Sequence, residues 1–352
     1  MRKMKVAVIG CGMIAKSQHI KAYAQNEHAE IKYLVDIRRE RAVELAGEYK
    51  VPFTETDYKA ILEDEEVEAV SICTPNDSHA EIAIACLNAG KHVLCEKPAS
   101  VNMDLVREMK AAADRNDRIL SIGVVNRFNT AVNKIKDMIE AGELGSIYHV
   151  YCSFRSHRSI PGLGGPFTTK AKAGGGVLID WGVHFLDLIL YCLNQPDILT
   201  VSGTVHSELG KDMKNYTYLD MWAGPPDYSG TYDVEDFVTG LIRTSGPTLS
   251  LNGAWAQNIN ESAMFIEFLG DKAGVKLQYG GDFKVYSAKN GMLSETSHSF
   301  AKTDMFHDEI DDFLKSASAN TKNRASIDHV IQTSQVMEAL YQSSELGKEV
   351  SL

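Results

Sequence analysis

Between residue 5 and about residue 123 the chain repeats one rhythm, a short unbroken apolar run followed by a stretch of helical periodicity. The runs are KVAVIG (5–10), IKYLVD (31–36), AVSICT (69–74), HVLCE (92–96) and ILSIG (119–123). Unbroken runs are what strands covered on both faces require, and the periodic stretches 78–89 and 103–116 supply covering helices. The pattern predicts a doubly wound parallel sheet, a Rossmann-type α/β domain over residues 1–123. After Arg127 the rhythm changes. A helix is predicted at 129–141 and a long strand at 146–156, followed by a glycine-rich loop and an apolar helix near 183–193. Strands then follow one another at 200–206, 237–243, 248–254, 263–269 and 275–279, with hairpin-length turns such as 270–274 between them. Residues 124–352 are therefore predicted to form an α+β domain with a large, mostly antiparallel open sheet covered by helices on one face. Helices near 305–316 and 327–344 close the chain, the last packing back on the first domain.

The length of 352 residues agrees with two domains, since it exceeds what one hydrophobic core usually serves. With 44% hydrophobic and 24% charged residues the chain is neither disordered nor low in complexity. Lys plus Arg at 36 against Asp plus Glu at 47 gives a net charge of −11, which repels phosphate backbones and anionic membranes. Neither nucleic acid nor a membrane is an expected partner. Six scattered cysteines without a C-x-x-C pair read as reduced core thiols of a cytoplasmic protein. The apolar run 6–9 is too short for a signal peptide, and no other stretch reads as a bilayer span.

The first strand ends in Gly10-Cys11-Gly12-Met13-Ile14-Ala15, a G-x-G-x-x-A sequence leading into a helical stretch. Gly10 permits a tight turn, Gly12 lets a pyrophosphate approach the main chain, and Ala15 permits close helix packing. Met13 and Ile14 belong to the same loop. Asp36, ending the second strand, is placed to accept hydrogen bonds from a ribose and to repel a 2′-phosphate, which favours NAD over NADP. Arg38, Arg39 and Arg41 work against that preference.

The next strand ends carry Thr74-Pro75-Asn76-Asp77-Ser78-His79 and, after Ala89-Gly90-Lys91-His92, the run Glu96-Lys97-Pro98. Together with the glycine motif, these resemble the glucose–fructose oxidoreductase, inositol dehydrogenase and MocA (Gfo/Idh/MocA) family. The resemblance continues through Asn126-Arg127-Phe128 and Gly174-Gly175-Gly176-Val177-Leu178-Ile179-Asp180-Trp181-Gly182-Val183-His184, and so covers both halves. It implies a nicotinamide-dependent oxidoreductase acting on a sugar, cyclitol or related polyol, assembled as a homodimer or homotetramer through the second domain's sheet. It also implies that Thr74, Pro75, Asn76, His79, Glu96, Lys97 and Asn126 line the cofactor, with a cis bond before Pro98 as one way to aim Lys97.

Oxidising a secondary alcohol needs a base that titrates near neutrality and a cation that steadies developing alkoxide. His184 suits the first role and Lys97 the second. Asp180 lies four residues before His184, so on a helix the two share a face, and Asp187 continues it. By resemblance Asp180 touches substrate or polarises His184; Asp187 is a candidate partner behind them. A competing reading makes Asp180 a helix cap and His184 a core residue. No metal is expected, because Asp180, His184 and His157 lack a fourth ligand at diagnostic spacing. Substrate selection is assigned to His157, Arg158, the 162–165 turn, Thr168, Thr169, Lys170 and Lys172, with Arg127 at the start of the second half. Default solvent exposure competes for Arg158 and Lys170. Trp181, Trp222, Trp255 and Tyr232 are stacking candidates that core packing explains equally well. The acidic stretch 232–236 reads as a solvated turn. The leading function is an NAD-dependent dehydrogenase with His184 as acid/base and Lys97 assisting. Its rivals are a glycoside-cleaving enzyme that recycles its NAD, a non-catalytic NAD-sensing regulator, and a reductase running the hydride the other way.

Overall fold

A computed structural model describes residues 3–219 and 221–352. The chain forms two compact units. One runs to Phe128 and takes in Thr303–Ile331; the other comprises Asn129–Lys302 and Gln332–Leu352.

In the first unit, β1 (Met4–Ile9), β2 (Ala29–Val35), β3 (Phe53–Glu55), β4 (Ala69–Ile72), β5 (His92–Glu96) and β6 (Leu120–Gly123) form a six-stranded sheet in the order β3-β2-β1-β4-β5-β6. Every pairing is parallel. The order reverses between β1 and β4, where an open parallel sheet leaves a crevice at its carboxyl ends. Three-residue β3 lies at the edge with its outer positions exposed, so it carries no apolar run to read. The helix Met103–Asn116 starts where expected, because Asn102 caps it by accepting from the Leu105 N–H at 3.0 Å. Met305–Ala319 belongs to this unit, and its Ile310, Phe313 and Leu314 pack in one core with Val6, Val8 and Tyr23.

The second unit is built on a nine-stranded sheet. Its strands are β7 (Ile147–Arg155), β8 (Ile198–His206), β9 (Phe237–Thr244), β10 (Thr248–Ala254), β11 (Ala263–Gly270), β12 (Ala273–Gln278), β13 (Phe283–Lys289), β14 (Met292–Ser297) and β15 (Val350–Ser351). They run in the order β14-β13-β12-β11-β7-β10-β9-β8-β15. Only β7 with β10 is parallel. Along β7, Val150, Cys152 and Phe154 are buried on one face while Tyr151 is exposed on the other, where Ser153 is buried with its hydroxyl donating to the Ala263 carbonyl at 2.8 Å. The helices Thr130–Glu140 and Val183–Cys192 pack in that core, with the Phe154 and Phe185 rings 5.1 Å apart.

One expectation about the chain's apolar stretches is corrected. The helical stretch Lys170–Cys192 is long and apolar enough to cross a membrane, yet 78% of its apolar window is buried inside the protein. Its apolar surface is a core surface. None of the six cysteines forms a disulfide, and all are buried.

Candidate functional site

In the first unit the glycine loop follows β1. Gly10 has φ +92°, and a Cβ there would lie 2.6 Å from the Cys73 carbonyl oxygen, so only glycine fits. At Gly12 a Cβ would meet nothing within 4 Å, which leaves the main chain open to a ligand. The predicted helix then begins as a π-turn, Ala15–His19, before Ile20–Gln25 continues as α-helix. Asp36 is largely buried, and its carboxylate accepts from the Cys11 N–H at 2.7 Å and the Arg38 N–H at 2.8 Å. Fixed at two points, it keeps lone pairs for ribose hydroxyls. Met13 and Ile14 flank the loop, exposed and half-buried. Open backbone, a positioned carboxylate and a glycine turn at the switch point fit a dinucleotide.

The next strand ends carry the remaining cofactor candidates. Thr74 and Asn76 are half-buried and Pro75 exposed, and the Ser78 hydroxyl donates to Thr74 Oγ1 at 2.8 Å. His79 is buried, and its ring lies 2.8 Å from the Pro98 carbonyl through Nδ1 and 2.8 Å from the Thr74 carbonyl through Nε2. The Lys97–Pro98 bond is cis. Between Val93 and Ser100 only Lys97 keeps partial exposure. Glu96 turns its carboxylate into the protein: Oε1 lies 2.8 Å from His19 Nε2, and Oε2 accepts from the Lys97 N–H at 3.1 Å. Burial opposes a charge on His19, but its contacts prevail and hold its pKa above the ordinary histidine value. Burial also raises the Cys73 thiol, which leaves Glu96 as the anion that holds the imidazolium. Burial works to raise Glu96 in turn, and His19 holds it below the usual carboxylate value. Asn126 and Arg127 are buried on the turn Val125–Phe128, and Arg127 Nη1 donates to the Arg324 carbonyl at 2.7 Å.

In the second unit the glycines lead into a π-turn, Leu178–Gly182, continued by the α-helix Val183–Cys192. From Gly175 to Leu190 everything is buried except Asp180, Trp181 and His184, so the two candidates lie on the open side of an otherwise buried run. The capping alternative for Asp180 is overturned, because its N–H donates to the Gly176 carbonyl at 2.9 Å from inside the turn. Its Oδ2 accepts from the Trp255 indole N–H at 3.3 Å. The His184 ring stands 6.4 Å from the Tyr279 ring. Asp187 is buried and accepts from the Thr333 hydroxyl at 3.1 Å.

The acidic stretch 232–236 is a correction. Glu235 and Asp236 are buried rather than solvated, and all three carboxylates hold backbone N–H groups. Glu235 accepts from Gly176 at 2.8 Å, Leu178 at 3.0 Å and the Tyr341 hydroxyl at 2.9 Å, fixing the start of the turn that bears Asp180. Burial raises its pKa. Asp236 holds the Glu208, Leu209 and Gly210 N–H groups, and Asp233 holds that of Lys170 at 2.6 Å.

The selection segment is likewise tied down. Arg158 is half-buried, not solvated; it donates to the His157 and Gln257 carbonyls and to Asn258 Oδ1, with its guanidinium 5.8 Å from the Tyr216 ring centre. Thr169 donates to the Gly165 carbonyl at 3.0 Å and Thr168 to that of Thr231 at 3.0 Å, whereas the Lys170 side chain is exposed. Trp255 is core, Trp222 is exposed against the Phe167 ring at 4.8 Å, and Tyr232 packs on the core.

Three comparisons bear on what this arrangement does. The sequence profile of the GFO_IDH_MocA oxidoreductase family, NAD-binding Rossmann fold, matches residues 4–124, and that of the GFO/IDH/MocA C-terminal domain matches 132–276. The D-glucoside 3-dehydrogenase of Escherichia coli (strain K12) is 31% identical over 352 residues, 99% of this chain and 97% of that protein. The D-xylose 1-dehydrogenase (NADP(+)) 2 of Haloferax volcanii is 24% identical over 99% of this chain and 100% of its own length. Among solved structures, a levoglucosan dehydrogenase in complex with NADH superposes with a TM-score of 0.88 at 22% identity, over 99% of each chain.

Proposed function

Since this chain belongs to the Gfo/Idh/MocA family of oxidoreductases, we propose that it is an NAD-dependent dehydrogenase of a secondary alcohol on a sugar or related cyclitol, with a glycoside as the first candidate. The observation that carries this reading is the full-length similarity to a glucoside dehydrogenase, which spans both the glycine loop and the Asp180–His184 segment.

When bound, NAD supplies the hydride acceptor. Gly10, Gly12, Met13, Ile14 and Asp36 are the residues proposed to hold it, with Thr74, Pro75, Asn76 and Asn126 beside the reacting end. The chain's own groups manage the proton. The His184 imidazole takes it from the substrate hydroxyl, Asp180 orients that hydroxyl or the ring, and the Lys97 ammonium steadies negative charge on the oxygen. His157, Arg158 and Thr169 are proposed to bound the substrate through the loop that Asp233 and Thr231 brace.

A panel of glycosides, aldoses and inositols, assayed for NADH accumulation, tests the reading. Steady accumulation is expected, and His184→Ala and Lys97→Ala should each lose at least about a hundredfold in kcat while still binding NADH. Product without net NADH would favour the cleavage cycle, and wild-type rates in both variants would refute the assignment.

A further inference from the structure

Both chain neighbours of Lys97 are gripped by a buried histidine, and we infer that His19 and His79 are positioning residues that aim Lys97 for the proposed reaction, a role that rests on that reading. On the preceding side, His19 is fully buried on the π-turn Ala15–His19. The Ile20 N–H bonds back to the Ala15 carbonyl, and this wide turn places His19 inward beside Ala15 while Lys16 and Ser17 face solvent. Such single wide turns are frequent at functional sites. Both ring nitrogens of His19 are engaged, Nδ1 with Ser71 Oγ at 2.8 Å and Nε2 with Glu96 Oε1 at 2.8 Å. Glu96 Oε2 in turn takes the Lys97 N–H at 3.1 Å. The Glu96 carboxylate lies against β6 in space that glycine leaves free, since a Cβ at Gly123 would lie 3.0 Å from its carboxyl carbon.

On the following side, the His79 ring sits between the Pro98 and Thr74 carbonyls, 2.8 Å from each; burial lowers its pKa, so the neutral ring donates its one proton to one of them and packs against the other, filling the gap between the residue after Lys97 and the end of the neighbouring strand. With the residues before and after it anchored, the direction in which Lys97 leaves the backbone is set. His19 has a second effect. It occupies one oxygen of a buried carboxylate next in sequence to Lys97; without it, that carboxylate competes with substrate for the Lys97 ammonium. Charged and titratable groups facing the pair are Cys73, Cys95, Lys97 and His79, with Tyr23 and Glu309 beyond Cys73.

The test uses the full chain labelled with 15N-lysine, the Lys97 amide being assigned by its loss in Lys97→Arg, together with steady-state kinetics. The amide signal is expected to move upfield in Glu96→Gln and to shift in His19→Ala and His79→Gln. In His19→Ala, kcat should fall about tenfold to a hundredfold, the scale of a small misplacement, with KM and NADH affinity held. His19→Gln, which keeps a donor for Glu96, should retain more activity and also serves if the alanine variant does not fold. Adding Glu96→Gln to His19→Ala should recover part of the loss, because the competing charge is removed. An unmoved Lys97 amide in the folded histidine variants overturns the inference whether or not any sugar is turned over, and so does wild-type kcat alongside a moved amide. A wild-type chain inactive on every sugar fails the dehydrogenase reading instead, and the amide shifts then still decide whether the two histidines hold Lys97.

Discussion

The indole N–H of Trp255 donates to Oδ2 of Asp180 at 3.3 Å. Trp255 is fully buried at the end of β10, so the bond reaches the half-buried carboxylate from the core side and limits its rotation. Trp255→Phe keeps most of the ring and removes only the donor. A hydrogen bond to a charged group is worth about 1.5–3 kcal/mol, so kcat is expected to fall about tenfold to a hundredfold if the aim of Asp180 matters in the transition state. Kinetics on the folded variant, with NADH binding as control, decides this; unchanged kcat would mean that Asp180 needs no such restraint.

Most of the architecture was legible in the chain because the physics that builds it is local. Unbroken apolar runs mark β1, β2, β4, β5 and β6, and Thr248–Ala254 was expected at its observed bounds. Strands β13 and β14 are poorly marked because their exposed positions leave little alternation, although Asn290-Gly291, both at positive φ, is a strong hairpin signal. The candidate site was legible where glycine geometry and residue spacing speak, at Gly10, Asp36 and Asp180 with His184. Glu235 reads from its neighbours as part of a solvated turn, and His19 as one more position of a helical stretch. Both are buried charged residues whose partners, Gly176 and Tyr341 for one and Glu96 for the other, lie 59 or more residues away in sequence. Nothing in a local pattern reports such a pairing. The available hint for His19 was its place four residues after Ala15, on the inward side of the first helical stretch.

Cofactor choice is expected to turn on Asp36. Its carboxylate repels a 2′-phosphate, while Arg38, Arg39 and Arg41 follow closely with the opposite charge. The wild type should therefore show higher kcat/KM with NAD than with NADP. Asp36→Asn removes the charge but keeps one acceptor for the Cys11 or Arg38 N–H, so the loop should survive. The NAD to NADP ratio of kcat/KM is expected to drop at least about tenfold, since like-charge contacts cost several kcal/mol. A ratio unchanged by the substitution would place the discrimination elsewhere.

The nine-stranded sheet has one open face, and we propose that it joins copies of the chain. Tyr151, between buried Val150 and Cys152 on β7, is 48% exposed, and Tyr286 on β13 is 39% exposed. Homodimers or homotetramers are expected in sedimentation or light scattering. Tyr151→Glu sets a second carboxylate across from Glu267 on β11 and should shift the assembly toward monomer without unfolding it. A wild type that stays monomeric at high concentration would refute the proposal.

The His19–Glu96 pair should be visible in the pH dependence of stability. With the pKa of His19 raised when folded above the roughly 6.5 of an ordinary histidine, the folded chain holds that proton more tightly than the unfolded one. The resulting stabilisation is complete below about pH 6.5 and is lost progressively as the pH rises through the raised folded-state value. Glu96 acts in the opposite sense: held below its ordinary value, it contributes stability above about pH 4.3 that is lost on acidification. Together they favour a maximum between those limits. Thermal unfolding from pH 6 to pH 10 should show Tm of the wild type falling more steeply than that of His19→Gln, whose side chain cannot titrate. Parallel curves for the two proteins would mean that His19 is neutral in the fold, donating its one ring proton to Glu96 and accepting from the Ser71 hydroxyl.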